Sequence, residues 1–226
     1  RYVDESDFNS LDSLFWPALN TFEEVQDGLS DVITGHVYWD RLFLVYSNAT
    51  LFPKNKDHLY YDIEQSSLGD CYFLSSLGAI NESILQDLFV TKNINEQGLY
   101  LVNFYVRGRK WVMSVDDEFL FEKKYDNLRF SKYRPESNTL WVPIIEKAFA
   151  KLRGNYDNVI AGSPANALRM LTGVPVYEFA TANTTLESTW FHIQHGTNMS
   201  FLMTARTHVA EWKRALHCGV TENHAY

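Results

Sequence analysis

One short stretch of the sequence places a cysteine where it can act as a nucleophile. Cys71 follows Gly69-Asp70 and precedes an apolar run from residue 72 to residue 80. The run predicts a mostly buried helix. Asp70 can cap its start through a side-chain oxygen, and Gly69 permits backbone angles that other residues resist. Unpaired N–H groups and the helix dipole favour a thiolate in the first turn of a helix. Cys71 is therefore a candidate nucleophile.

A glutamine upstream of the cysteine supplies a second element of such a site. The side-chain amide of Gln65 and the backbone N–H of Cys71 can converge on one substrate oxygen, as the donors of an oxyanion hole do. The alternative interpretation is that Cys71 only fills the core. Free cysteine is among the most buried residue types, and a single cysteine is a weak signal without a partner histidine.

The run Gln-x-x-x-Gly-Asp-Cys-aromatic-Phe-Leu at residues 65–74 resembles the active-site sequence of the calpain family of papain-like cysteine proteases. Calpains usually have Gly where this chain has Ser66 and Trp where it has Tyr72, but Ser is small and Tyr keeps an aromatic face. The resemblance covers most of the chain and continues at Tyr-Asp-Ile (61–63), Asp-Asp (116–117), the Glu-Lys-Ala-Phe-Ala-Lys helix (141–154) and Asn-His-Ala-Tyr (223–226).

A cysteine nucleophile needs a base that later protonates the leaving amine. Among seven histidines, His224 is the candidate because its context is similar to the Gly-His-Ala-Tyr of calpains, with Asn223 in place of Gly. It also follows Cys71 at close to the roughly 130–150 residues that separate these partners in papain-like chains. The resemblance implies that Cys71 is the nucleophile, Gln65 the oxyanion donor and His224 the base and acid. Gly69 is a candidate substrate-binding residue.

The residue that would orient the histidine is missing from the sequence. In calpains it is an Asn in a downstream Asn-Pro-Trp segment, and none of the six prolines here follows an Asn. We therefore expect a fragment that is incomplete for activity, rather than a different orienting group.

The resemblance implies calcium as a possible regulator and no catalytic cofactor. Calpains hold one Ca²⁺ in the cysteine lobe through an Asp three residues before the Gln, loop carbonyls, and a Glu two residues before the helix Trp. Asp62 matches the Asp and is a candidate metal ligand. Thr139 occupies the Glu position, and the loss of a carboxylate weakens a site for a hard cation. Calcium dependence is left open.

The expected fold class is α+β, with the two lobes of a papain-like protease. A helical cysteine lobe (residues 1–162) precedes a truncated, strand-rich histidine lobe (163–226), with a hinge at 160–164. The spacing of apolar residues predicts several helices and a hairpin around Arg107-Gly108-Arg109. The predicted helices lie near 14–29, 82–89, 141–152, 166–171 and 186–195, and further strands near 127–132, 176–179 and 199–204.

The composition limits the class of protein. Hydrophobic residues at 46% and aromatic residues at 15% are typical of a globular chain and exclude a disordered one. A formal net charge of −8 without a basic run argues against nucleic-acid binding, and no apolar run approaches the about 20 residues of a membrane span. Only Cys71 and Cys218 occur, which indicates a reducing, cytoplasmic setting rather than a disulfide framework.

The sequence thus predicts a calpain-like endopeptidase that hydrolyses peptide bonds in proteins or peptides through an acyl-enzyme on Cys71. Further calpain-type domains or subunits are possible partners. The alternative is a catalytically silent calpain-like binding or scaffold module. The intact Gln65, Cys71 and His224 argue against it, whereas Thr139, Asn223 and the missing Asn keep it open. The Gln-x-x-x-Gly-Asp-Cys motif argues against a third interpretation, a transglutaminase.

Overall fold

The computed structural model describes residues 37–53, 59–124, 127–207 and 220–226. The described residues form helices and two small antiparallel sheets, which confirms a mixed α+β chain. The helix expected near residues 14–29 lies outside the described residues, as does Cys218.

The elements follow one another along the chain in this order. Strand β1 (Val37–Arg41) is followed by helix α1 (Leu42–Val45), a 3₁₀ turn (Leu59–Asp62), α2 (Cys71–Ala79), α3 (Glu82–Leu88), β2 (Tyr100–Val106), β3 (Arg109–Val115), β4 (Glu118–Glu122), β5 (Asn127–Leu128), α4 (Trp141–Arg153), a 3₁₀ turn (Asp157–Val159), α5 (Pro164–Thr172), a 3₁₀ turn (Thr181–Asn183) and α6 (Leu186–Asn198).

The strands form two separate sheets. β2 and β3 form the predicted hairpin, and Arg107 and Gly108 at its tip have φ of 52° and 74°. The other sheet has the order β1-β4-β5, and Val37 pairs with Glu122 at one end of the β1–β4 ladder. The sequence did not predict β1 and β4 as strands, because their pairing is non-local. The strand expected near 127–132 is short and ends at Leu128.

The core is built where α2 meets α4. The ring of Phe73 in α2 stacks on Phe149 in α4, with centroids 4.0 Å apart and planes at 4°. Phe104 of β2 contacts Phe149 from the side, so the hairpin covers the same core. α4 ends at Gly154, as the sequence predicted. The φ of 108° at this residue is a backbone angle that glycine adopts more readily than other residues.

The second half of the chain differs from the expectation. α5 and α6 confirm the helices predicted near 166–171 and 186–195, but no strands form at 176–179 or 199–204. In the described residues beyond 163, the β-type pairing is a single bridge between Arg206 and Ala225. The prediction of a strand-rich second half is therefore wrong for these residues. α5 packs against α2 and β2, while the division at residue 162 stays a prediction.

Phe149→Ala is expected to destabilise the chain strongly, because the substitution leaves a cavity between α2, α4 and the hairpin. Replacing a buried Phe by Ala typically costs about 3–5 kcal/mol. Denaturant unfolding followed by circular dichroism would measure this cost. Trp111→Ala is the matched control, since Trp111 is 54% exposed and should change the unfolding free energy little. Equal costs for the two variants would contradict this description of the core.

Candidate active site

Helix α2 begins at Cys71, so the candidate nucleophile lies in the first turn, where it is half-buried. The backbone N–H groups of Phe73 and Leu74 donate to the main-chain oxygen of Asp70, at 2.8 Å and 3.2 Å. The first N–H groups of a helix have no partner within the helix, so the N–H of Cys71 suits a substrate oxygen. The sequence prediction of the helix start is confirmed.

The side chain of Asp70 does not cap the helix as the sequence suggested. It is fully buried, and neither carboxyl oxygen accepts a hydrogen bond from the described residues. Instead it lies beside the carboxyl of Glu146 in α4. Burial disfavours the charged form and raises the pKa of Asp70 to about 7.

Gln65 lies in the extended segment before α2 and is held by a local bond. Its Nε2 donates to the main-chain oxygen of Leu68 at 2.5 Å. A side-chain amide has two N–H donors, so one bond fixes its direction and leaves the other free for a ligand. The arrangement suits an oxyanion donor, because such a donor must be oriented before the reaction.

Gly69 does not need an unusual backbone angle, because it is not among the glycines with positive φ. A Cβ at this position would lie 3.3 Å from Cγ2 of Ile160, which is a tight contact. The carbonyl of Gly69 accepts a hydrogen bond from the N–H of Ala161 at 2.9 Å. The segment before the nucleophile is thus tied to the predicted hinge. The substrate-binding role of Gly69 stays a prediction.

His224 lies on a short extended segment that is held by its backbone. Its N–H donates to Oγ1 of Thr207 at 3.1 Å, and its carbonyl accepts the N–H of Thr207 at 2.8 Å. The preceding Asn223 has φ of 50°, in the left-handed region. Asn is the side chain other than Gly that tolerates this region best, so it can replace the glycine of the resembling sequences.

One cleft of about 550 Å³ is lined by Gln65, Cys71 and His224. The sequence prediction therefore brought together three residues that the fold also brings together. The remaining wall is largely apolar. The sequence did not predict it, although three of its members fall within the matched motifs, because an apolar side chain does not indicate whether it faces a cleft or the core. Its members include Tyr60, Ile63, Leu74, Met203 and Tyr226.

The imidazole of His224 contacts an aromatic ring. Its ring meets the ring of Tyr226 edge to face, with centroids 5.0 Å apart. Within the described ranges, no side chain forms a hydrogen bond with the imidazole, so no orienting acceptor of the kind supplied by the calpain Asn is seen there.

Asp62 is buried and its carboxylate already has donors. Oδ2 accepts from Oγ1 of Thr139 at 3.0 Å and from Nε1 of Trp141 at 2.6 Å. In the part of the chain that the structure describes, no group of three or more His, Cys, Asp or Glu side chains is placed to hold a metal. Ca²⁺ prefers six to eight oxygen ligands, including carboxylates. Among the described side chains at this position, Asp62 gives one carboxylate that is already hydrogen-bonded and Thr139 gives a neutral oxygen, and the calcium site stays a prediction.

Comparison with known proteins identifies the wider group. A family model described as calpain family cysteine protease matches residues 12–226. The calpain-type cysteine protease DEK1 of Arabidopsis thaliana is 33% identical over 172 residues, and DEK1 of Zea mays is 31% identical over the same length. Each of these matches covers 73% of this chain and 8% of the relative.

Calpain-5 of Caenorhabditis elegans is 27% identical over 236 aligned positions, which cover 96% of this chain and 35% of that protein. The chain thus spans a small part of the curated relatives that it matches. The family match covers nearly the whole chain, including the cleft. The chain belongs to the calpain family of cysteine proteases.

Proposed function

We propose that this chain is the protease core of an endopeptidase in which Cys71 is the nucleophile, Gln65 an oxyanion donor and His224 the general base and acid. The observation that carries the proposal is that these three residues line one cleft, although His224 lies far from the other two in sequence. Membership of a cysteine protease family supports it.

In the acylation step, His224 takes the thiol proton of Cys71 and Sγ attacks the carbonyl carbon of the peptide bond. The carbonyl oxygen becomes negatively charged, and the amide of Gln65 and the N–H of Cys71 stabilise it. When the intermediate collapses, the C–N bond breaks, the protonated His224 gives its proton to the leaving amine, and a thioester on Cys71 remains.

In the deacylation step, His224 takes a proton from water, and the resulting hydroxide attacks the thioester carbon. The same donors stabilise the second oxyanion. The C–S bond then breaks, the thiolate leaves, and the new carboxyl end of the peptide dissociates. The largely apolar wall formed by residues such as Ile63, Leu74 and Met203 suits a peptide that presents apolar side chains.

The second candidate function is a catalytically silent binding module that uses the same cleft. It is favoured by one observation: the imidazole of His224 contacts Tyr226 and is not hydrogen-bonded within the described residues. A histidine without an orienting partner is a weaker base for catalysis.

A peptide that carries a thiol-reactive group is expected to modify Cys71, because this cysteine lines the cleft with Gln65 and His224. Mass spectrometry of the digested adduct identifies the site. Cys71→Ala should abolish labelling, and Cys218→Ala is the control that should retain it. Labelling that survives Cys71→Ala and disappears in Cys218→Ala would contradict the assignment.

Hydrolysis of a fluorogenic peptide separates an enzyme from a silent module, and it is measured both for this chain and for its full-length reading frame. In the active form, Gln65→Ala should lower kcat by about 10²–10³-fold, the usual cost of losing one oxyanion donor. Gln194→Ala, on the exposed surface of α6, is the matched control. An unfolded Gln65→Ala variant, or one with normal kcat, would rule out the oxyanion role. Cys71 labelling without turnover in either form would support the silent module.

We also propose that Asp62 is a structural hydrogen-bond acceptor and that calcium does not bind there. The hydroxyl of Thr139 occupies one of its lone pairs, and the indole of Trp141 occupies another. These two bonds join the 3₁₀ turn before the cleft to the start of α4.

A cytoplasmic setting and additional domains around this core are further parts of the proposal. In the described residues no helix is long and apolar enough to cross a membrane.

Thr139→Val should lower the free energy of unfolding by about 1 kcal/mol, because it removes one bond to a buried carboxylate. The loss should be the same with millimolar Ca²⁺ and with EDTA, and Ca²⁺ should not shift the thermal midpoint of the parent chain. Thr197→Val, at an exposed position of α6, is the control. A saturable rise of the midpoint with Ca²⁺ that Asp62→Asn abolishes would show that the site binds calcium.

A further inference from the structure

Two carboxyl groups are buried together beneath the start of the helix that carries Cys71. Asp70 is 0% exposed and Glu146, on α4, is 1% exposed. The two side chains lie within hydrogen-bonding reach of each other. In the described part of the chain, no other residue donates a hydrogen bond to Oδ1 or Oδ2 of Asp70 or to Oε1 of Glu146, although the backbone N–H of Asp70 lies close to its own carboxyl.

Glu146 is oriented by its other oxygen. Oε2 accepts the N–H of Ser131 at 3.0 Å and its Oγ at 2.9 Å. Oε1 is therefore the oxygen left for Asp70. No Lys, Arg or His of the described residues forms a hydrogen bond or an ion pair with either carboxyl, so none of these residues neutralises the pair.

Two carboxylates in contact at a dry site cannot both remain ionised at low cost. Burial raises the pKa of Asp70 to about 7 and raises the pKa of Glu146 well above its usual value, and the adjacent Asp70 charge raises it further. A single proton held between them neutralises one charge. It also supplies the hydrogen bond that the orphaned oxygens lack, and bonds between a carboxyl and a carboxylate are short and strong.

We propose that Asp70 and Glu146 share one proton and that this carboxyl pair positions the first turn of α2, and with it Cys71, against α4. The proposal deepens the proposed function, on which it rests for the role of Cys71. Asp70 and Glu146 are positioning residues, because neither lines the cleft.

The pair makes stability depend on pH in a defined direction. A carboxyl with a raised pKa binds its proton more tightly in the folded chain than in the unfolded chain. Its contribution to the free energy of unfolding is therefore fully present below about pH 4 and is lost as the pH rises through about 7. Above that pH a second negative charge forms next to the first turn of α2 and opposes the thiolate of Cys71. Among the described residues, the other ionisable groups near this turn include Tyr72 of α2, Arg153 at the end of α4, and His224, which lines the cleft with Cys71.

The test compares Glu146→Gln with Glu146→Leu in the full chain carrying Cys218→Ala. Gln can accept from Ser131 with its oxygen and donate to Asp70 with its nitrogen at every pH, whereas Leu can do neither. Glu122→Gln, a partly exposed partner of Arg129, is the matched control. The measurements are the thermal midpoint, the infrared band of a protonated carboxyl, and the rate of Cys71 alkylation by iodoacetamide, each from pH 5.5 to 8.5.

If the pair shares a proton, the parent and the control show the infrared band at pH 5.5 and a midpoint that falls as the pH rises. Glu146→Gln lacks the band, has a flatter midpoint profile, and at pH 8.5 is alkylated about threefold to tenfold faster, because one negative charge near Cys71 is absent. Glu146→Leu is destabilised at every pH.

The proposal would be overturned if the pH profiles of the thermal midpoint and of the alkylation rate were the same for Glu146→Gln and the parent. A parent chain without the infrared band of a protonated carboxyl would also overturn it. A Gln variant as unstable as the Leu variant at every pH would also overturn it, since Glu146 would then serve only as an ionised acceptor. None of these readouts requires peptidase activity, so loss of the proposed function would appear separately, as absent turnover with an intact carboxyl pair.

Discussion

The contact between α2 and α4 is the constraint on which the candidate site depends. The stacked rings of Phe73 and Phe149 hold the two helices together, and α4 also buries two ionisable side chains, Glu146 and Lys147. Removing one partner of a buried charge is costly, so each such group fixes the element that satisfies it. Glu146 binds the backbone at Ser131 and lies under Asp70. Lys147 binds Asp116 and the carbonyl of Glu118, and its ammonium lies 5.0 Å from the ring centroid of Phe119. α4 thereby positions both the start of α2 and the start of β4.

The aspartates that carried the resemblance serve mainly to assemble the fold. Asp117 accepts a hydrogen bond from Nε of Arg41 at 2.8 Å, which joins the β3–β4 turn to the end of β1. Its neighbour Asp116 binds Lys147, and Asp62 binds Thr139 and Trp141. Buried carboxylates need donors, and in each case the donors come from a distant segment. A sequence motif can therefore mark a shared packing requirement as well as shared chemistry.

The sequence predicted the parts of the structure that local rules determine. The helix start at Cys71, the hairpin around Gly108 and the stop at Gly154 each follow from the residue types within a few positions. The β1–β4 ladder joins residues 37–41 to residues 118–122, and no local pattern specifies that register. The β-type residues near 176–179 and 199–204 find no ladder partner among the described residues, so their propensity does not become a strand. The direction of the Asp70 side chain was mispredicted for the same reason. Capping is a local preference of the residues around a helix start. The side chain of Asp70 instead packs beside Glu146, which is close in space but distant in sequence.

The cysteine and the histidine are held in different ways, and this asymmetry bears on catalysis. Cys71 begins a helix whose buried face packs into the core, and the buried side chain of Asp70 lies directly before it. His224 depends on backbone bonds to Thr207, on a bridge between Arg206 and Ala225, and on an edge contact with Tyr226. Its segment can turn there because Asn223 accepts a left-handed conformation, although with more strain than a glycine would have. A nucleophile and a base act together only when their separation is fixed, and a displacement of about 1 Å can cost roughly 10²-fold in rate. The precision of the site is therefore determined by whatever fixes the imidazole of His224, since the core already fixes the position of Cys71.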